Sequence, residues 1–436
     1  MTSIVRTLGH VLLVAPALLA STLVVPAPLV AQVGANDVAG LARDPVVQRA
    51  FDAVAALEER TSREHIELTQ VPAPPFMEEE RAKVYAEWLR AAGADSVWID
   101  DEGNVVALRK GTKGGRTVAL GGHLDTVFPE GTDVTVRQRG DTLFAPGIGD
   151  DTRGLMVVLT ALRAMEEAGL ETEADVWFVG VVGEEGLGDL RGMKHLFREG
   201  AHPIDAWIEV DGGGLGRLVT KGLGSHRYRA TFKGPGGHSW GAFGMANPAH
   251  ALSRAVTHFA DVADTLTRSG PRTSYNVGTL TGGTSVNSIP FEVAMEVDMR
   301  SESPESLQRI DAAFRAAMQR GLDDENALRR RGPELELVLD QVGDRPSGEH
   351  PDALPLVQRA VAAAAVFGET AEGGFGSTDS NIPIALGIPA VTIGRGGVGG
   401  EGHAPGEWWI NQDGHLAIQN ALLLLVAEAG LGRPVS

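Results

Sequence analysis

Three times along this chain an apolar, strand-like run ends directly in glycine-flanked acids or a histidine. Residues 117–121 lead into Gly122-His123-Leu124-Asp125, residues 175–182 into Gly183-Glu184-Glu185-Gly186, and residues 206–210 into Asp211-Gly212. A fourth run, 390–393, precedes the loop that carries Gly402-His403. A fifth cluster, Gly149-Asp150-Asp151, opens a helix instead of closing a strand. Such runs are buried strands, and helical patterns alternate with them at 46–61, 77–92, 151–168, 353–367 and 415–429. The alternation predicts an α/β fold with a mainly parallel sheet flanked by helices. Ligands bind beyond the carboxyl ends of strands in such sheets, so the five clusters are expected to converge on one crevice.

The 436 residues are too many for one ordinary domain and predict two. The pattern changes near Gly222-Leu223-Gly224. From there strands at 227–232, 275–280 and 291–299 and helices at 248–268 and 304–321 form an α+β unit inserted into the main domain. Its boundaries are set at residues 225–340, as a lid or dimerisation domain. The catalytic domain then consists of 37–224 and 341–436. The 56 glycines are nearly twice the usual share, which suits many tight strand-to-loop turns.

A formal net charge of −19 argues against nucleic acid as a partner, because phosphate binding needs a basic face. The chain has no cysteine, which excludes disulfides, thiolate ligands and a cysteine nucleophile. No Gly-x-Ser-x-Gly elbow supports a serine hydrolase. Residues 1–31 have the form of a cleavable secretory signal peptide: Arg6, an apolar stretch at 11–25 interrupted by Pro16, and small residues before Gln32. The alternative is an uncleaved anchor, for which the proline-broken core is a poor spanning helix. Export to the periplasm or the exterior is therefore expected, without stable membrane association once the leader is removed.

Two histidines and several carboxylates make the donor set of a divalent metal site, zinc first among the candidates. Asp125 is spaced to hold the ring of His123 in one tautomer. Asp150 and Asp151 serve equally well as a helix N-cap with a first-turn acid, or as a carboxylate bridging two ions. Glu184 and Glu185 follow a run too apolar to hold unpartnered acids. One of them can bind metal while the other accepts a proton from metal-bound water.

These stretches resemble peptidase family M20, the co-catalytic di-zinc metallopeptidases that include peptidase T, glutamate carboxypeptidases and aminoacylases. The matching motifs are Gly121-Gly122-His123-Leu124-Asp125-Thr126-Val127, Gly147-Ile148-Gly149-Asp150-Asp151, Gly183-Glu184-Glu185-Gly186, Asp211-Gly212 and Gly402-His403. The resemblance implies two divalent ions, most often zinc, with cobalt or manganese as alternatives. It implies that Asp150 bridges them, that His123 and Asp211 complete one site, and that Glu185 and His403 complete the other. Glu184 is then the general base, and Asp125 orients His123. Asp150 is preferred to Asp151 for its spacing to Gly154. In the inserted unit, His238 of Gly234-Pro235-Gly236-Gly237-His238-Ser239 resembles a histidine that contacts the substrate oxyanion, often across a dimer. Asn287, Arg300 and the glycine-rich turn at Gly376 resemble substrate-binding positions. Thr152-Arg153 departs from the family, which places a lysine after the double acid.

Together these features predict an exopeptidase that cleaves short peptides by a metal-bound hydroxide with Glu184 as base. The alternatives are an N-acyl-amino-acid amidohydrolase with the same metal site and, more remotely, a non-catalytic peptide-binding protein. A homodimer through the inserted domain is compatible with all three.

Overall fold

The computed structural model describes residues 37–432; the expected signal peptide lies outside the described residues. The main sheet runs in the order Ser96–Ile99, Val105–Arg109, Asp175–Val181, Thr117–His123, Ala206–Val210, Ala390–Ile393, Leu218–Gly222 and Gly348–Glu349. Gly374–Gly376 also pairs with Leu218–Gly222. Its centre is parallel: Thr117–His123 lies between Asp175–Val181 and Ala206–Val210, and Ala390–Ile393 pairs with Ala206–Val210. The outer pairs, Ser96–Ile99 with Val105–Arg109 and Gly348–Glu349 with Leu218–Gly222, are antiparallel. Register aligns the carboxyl ends, with His123 opposite Val181 and Val210 opposite Ile393. Four chain segments therefore leave the sheet along one edge.

The central strands are buried on both faces, as continuous apolar runs require in a parallel sheet. Helix Gly414–Ala429 is apolar nearly all round because it is buried throughout from Asn420 to its end, where its Leu422, Leu424 and Val426 join the main core. On the opposite face, Trp177, Trp207 and Met193 form a second apolar layer.

The predicted helix at 46–61 is two helices, Pro45–Ala56 and Glu58–Thr69, meeting at buried Leu57. The second escaped detection because its buried face is polar: Thr61, Glu64, His65 and Thr69 point inward along with Leu68. Thr61 and Glu64 meet Thr160 and Arg163, partners far off in sequence that hydropathy cannot register.

The inserted unit is an antiparallel sheet in the order Thr273–Gly282, Glu292–Ser301, Gly224–Lys233, Glu336–Arg345. Helices Pro248–Leu266 and Pro304–Leu328 pack against it around a core of its own. Strand Glu292–Ser301 alternates as a half-buried strand should, with Val293, Met295, Val297 and Met299 inward. Two expectations need correction. The boundary at residue 340 falls inside a strand, which stays paired with Gly224–Lys233 out to Arg345 opposite Ser225. Gly321 is not a helix end: a Cβ there would lie 2.5 Å from Ala255 Cβ, so the glycine is where the two helices cross, and the second runs on to Leu328.

A small sheet that the sequence did not announce joins Arg137–Arg139, Thr142–Phe144, Trp408–Ile410 and Val398–Gly400. Pairing of Thr142–Phe144 with Trp408–Ile410 brings the loop carrying His403 beside the turn carrying Asp150.

Candidate metal centre

His123 is the last residue of its strand, and Glu184 and Glu185 follow the end of the neighbouring strand. Asp211 follows Val210, its amide held by Ile393 O at 3.0 Å. Asp150 lies where the segments meet. Its Oδ1 is 3.1 Å from His123 Nε2, and its Oδ2 is 3.1 Å from His403 Nε2. His403 Nε2 is also 3.0 Å from Glu185 Oε1. The donor atoms of His123, Asp150 and Asp211 all lie within 4.8 Å of one another, as do those of Asp150, Glu185 and His403. His123, Glu184 and Glu185 form a third such group. The first two share the Asp150 carboxylate, and between them they would hold two divalent cations. The donor chemistry, imidazole and carboxylate, suits zinc and its neighbours.

Asp151 does a different job from Asp150. It is fully buried, caps helix Thr152–Ala168 by accepting from Gly154 N at 3.1 Å, and accepts from His123 N at 3.2 Å. Glycine at 122 makes this approach feasible, since a Cβ there would lie 2.8 Å from Asp151 Oδ2. The ring of His123 faces both the backbone and the carboxylate of Asp125. The nearer partner of His123 Nδ1 is the backbone carbonyl of Asp125, at 3.0 Å, with the carboxylate Oδ1 at 3.7 Å. That carboxylate is drawn away by the amides of Glu184 and Glu185, at 3.0 and 2.8 Å. Asp125 thus fixes the imidazole through its backbone and the acid pair through its side chain.

Burial pushes the carboxyls of Glu184 and Asp211 up from their ordinary values, with Arg345 opposing the rise at Glu184 and neighbouring Asp150 adding to it at Asp211. Burial works the same way on Asp150, but His123, His403 and Arg395 outweigh it and hold that carboxyl well below the usual range. Hydrogen bonds that His403 donates to the carboxylates of Asp150 and Glu185 raise its pKa to about 10 in the absence of metal. The cluster is therefore a dense set of negative charge that protons or cations must balance.

Residues 119–427 match peptidase family M20/M25/M40. The chain belongs to that family. It is 27% identical over 357 residues to the uncharacterized protein YqjE of Bacillus subtilis strain 168, covering 78% of this chain and 91% of the relative. It is 26% identical over 310 residues to carboxypeptidase G2 of Pseudomonas sp. strain RS-16, covering 68% of this chain and 70% of that protein. Its fold matches the crystal structure of aminopeptidase PepT from Bacillus cereus ATCC 10987 with a TM-score of 0.65 and 23% identity, over 85% of this chain and 98% of the other. Family membership makes this chain a metal-dependent hydrolase of peptide or amide bonds.

The cluster opens into a cavity of about 250 Å³. Arg300 lines it, with its Nε donating to Asp298 at 2.7 Å. Gly376 does not line it; the glycine is packed in a strand, where a Cβ would lie 2.8 Å from Val219, and the neighbouring Ser377 faces the cavity instead. His238 and Asn287 are also outside its wall. They sit together on an exposed part of the inserted unit, where His238 pairs with Ser288 and Ser239 N donates to Asn287 O at 2.9 Å. His238 Nδ1 accepts from the amides of Trp240 and Gly241, at 3.3 and 3.2 Å, which leaves Nε2 as a donor.

Several residues of the site were not foreseen. Arg345 donates to Glu184 Oε1 at 2.9 Å and to Ser377 Oγ at 3.0 Å. Glu407 is buried and accepts three amides: Gly147 N at 2.7 Å, and Gly149 N and Asp150 N at 2.9 Å each. Arg217, Arg227 and Arg395 complete the basic wall. The spacing of His403 and Glu407 within one short loop was a usable signal for Glu407; Arg227, Arg345 and Arg395 had none, because their partners lie far off in sequence.

Proposed function

We propose that the protein is an exported exopeptidase that trims short peptides with two divalent cations, zinc first among them, and Glu184 as general base. The observation that carries this reading is the Asp150 carboxylate, whose two oxygens face two different histidines, each backed by a further carboxylate. His123, Asp150 and Asp211 would hold one ion, and Asp150, Glu185 and His403 the other. When bound, such ions supply Lewis acidity for the scissile carbonyl and acidify water.

The chain's own groups do the rest. Glu184 is buried beside His123 and Glu185, from where it would take the proton of the attacking water and hand it to the leaving amine. Arg345 fixes the Glu184 carboxylate from one side, and Asp125 fixes its amide from the other. Arg300 on the cavity wall would bind a substrate carboxylate. The Nε2 donor of His238 is suited to an oxyanion and would have to arrive by movement of the inserted unit or from a second copy of the chain.

The test is a free tripeptide of three distinguishable residues, given to the zinc-loaded mature chain, with products identified by mass. Release of a terminal residue, falling at least about a hundredfold in Glu184→Ala, supports both the exopeptidase reading and the base. A fall of only a few fold would remove Glu184 from that role. Silence on peptides together with hydrolysis of N-acyl amino acids would make the protein a deacylase.

A further inference from the structure

Resting on the hydrolase reading above, we infer that Arg217 is a specificity-determining residue that binds a second carboxylate of the substrate. Five arginines line the cavity, and three are hydrogen-bonded to acids of the protein, Arg300 through Nε alone, which leaves its terminal nitrogens to a substrate. Arg227 and Arg300 share Asp298, with Nε donors at 2.9 and 2.7 Å, and Arg345 is bound to Glu184. Arg395 is set among Asp150, Asp151, Asp211 and Glu407. Arg217 differs. Among the described residues its ion-pair partner is Asp211 alone, at 3.9 Å, too long for a hydrogen bond, and its Nε is buried without a partner.

The side chain is nonetheless placed deliberately. It lies across the turn after Ala206–Val210, where a Cβ at Gly213 would come within 2.8 Å of Arg217 Cδ and one at Gly212 within 3.3 Å of its Cζ. Both glycines have positive φ, 60° and 66°, so the turn that carries Asp211 also forms the cradle for Arg217. Its Nε is turned away from solvent against the Gly212 turn, so the terminal Nη1 and Nη2, whose nearest acid is Asp211 at 3.9 Å, are the donors that would meet an anion in the cavity.

Charge balance points the same way. Asp211, the acid paired with Arg217, is also grouped with His123 and Asp150 as a donor to one of the proposed cations. Asp211 would then no longer neutralise Arg217, and a cation and a guanidinium would stand side by side until an anion came between them. A substrate with one carboxylate on Arg300 leaves that position unmet. A substrate with a second carboxylate, such as an acidic side chain next to the scissile amide, meets it.

The experiment measures binding as well as turnover. Calorimetry on the zinc-loaded enzyme compares glutarate with pentanoate, which has the same five-carbon chain and one carboxylate. Turnover compares peptides that differ only by Glu against Gln at either side of the scissile bond. Glutarate is expected to bind about tenfold or more tightly than pentanoate, the scale of one charge-assisted hydrogen-bonded contact. In Arg217→Gln the ratio should fall below about threefold, and in Arg217→Lys it should be partly kept, with metal content of each variant verified by elemental analysis. Absence of the preference in the wild-type protein overturns the inference, and so does its survival in Arg217→Gln with two ions bound. If the glutarate preference depends on Arg217 while no peptide is cleaved, the anion site stands and the peptidase reading falls. If peptides are cleaved without preference, the reverse holds.

Discussion

Glu407 touches no proposed metal ligand through its side chain except the backbone amide of Asp150, yet its replacement should weaken the metal centre. One carboxylate oxygen accepts from Gly149 N and Asp150 N, and the other from Gly147 N, so the turn that aims Asp150 is wrapped around a single buried acid. The acid is fixed in turn by its own backbone, which accepts from Ala145 N at 3.1 Å and donates to Ala404 O at 3.0 Å. Glu407→Gln keeps the shape but offers one oxygen to three donors and turns an NH₂ group toward an N–H. At least one buried amide then loses its acceptor. Hydrogen bonds to a charged group contribute about 1.5–3 kcal/mol each, and some of this is offset because the amide is easier to bury than the carboxylate, so a net loss of about 2 kcal/mol is expected. Loosening the groups that orient ligands typically weakens metal binding by about 10–100-fold. The assay has two parts: denaturant unfolding of the metal-free protein, and zinc affinity by competition with a chromophoric chelator. Activity should fall at limiting zinc and recover in excess. Zinc affinity within about threefold of wild type, with stability unchanged, would refute this role for the three-amide contact.

Two further outcomes follow from buried groups outside the centre. His65 is fully buried beside Trp409 and lies 2.5 Å from Ile148 O through Nε2; burial first, then Arg153, lowers its pKa from 6.5 to about 3. The folded state then binds fewer protons than the unfolded chain, so this contribution is complete above pH 6.5 and is lost as pH falls toward 3, at up to about 1.4 kcal/mol per unit. The stability difference between wild type and His65→Gln, measured without metal, should therefore shift against wild type by roughly 2 kcal/mol between neutral pH and pH 4.5; a constant difference would contradict it. Gly321→Ala should destabilise the inserted unit by about 1–3 kcal/mol, because the new methyl meets Ala255 where the helices cross, and an unchanged unfolding midpoint would show that the helices separate freely.

The central strands were legible because burial on both faces leaves a signature in adjacent residues, and so were the acids and histidines at their ends. His123, Glu184, Glu185 and Asp211 each sit at or just past a run that hydropathy finds unaided. Helix Glu58–Thr69 was missed for the opposite reason: its buried residues are polar, and their partners lie about a hundred positions away. The small sheet was missed because three-residue strands carry too little pattern.

What the sequence determined by itself is local: which residues end strands, which acids lie in apolar surroundings, and hence which family and which chemistry. The tertiary structure decided the division of labour. Asp150 faces both histidines while its neighbour Asp151 is consumed in capping a helix. The Asp125 side chain serves the glutamates, Glu407 shapes the turn before Asp150, and Arg345 and Arg217 reach the cavity from opposite parts of the chain. A side chain's partners depend on distance in space, which falls off within a few ångströms, whereas sequence pattern reports only its neighbours along the backbone.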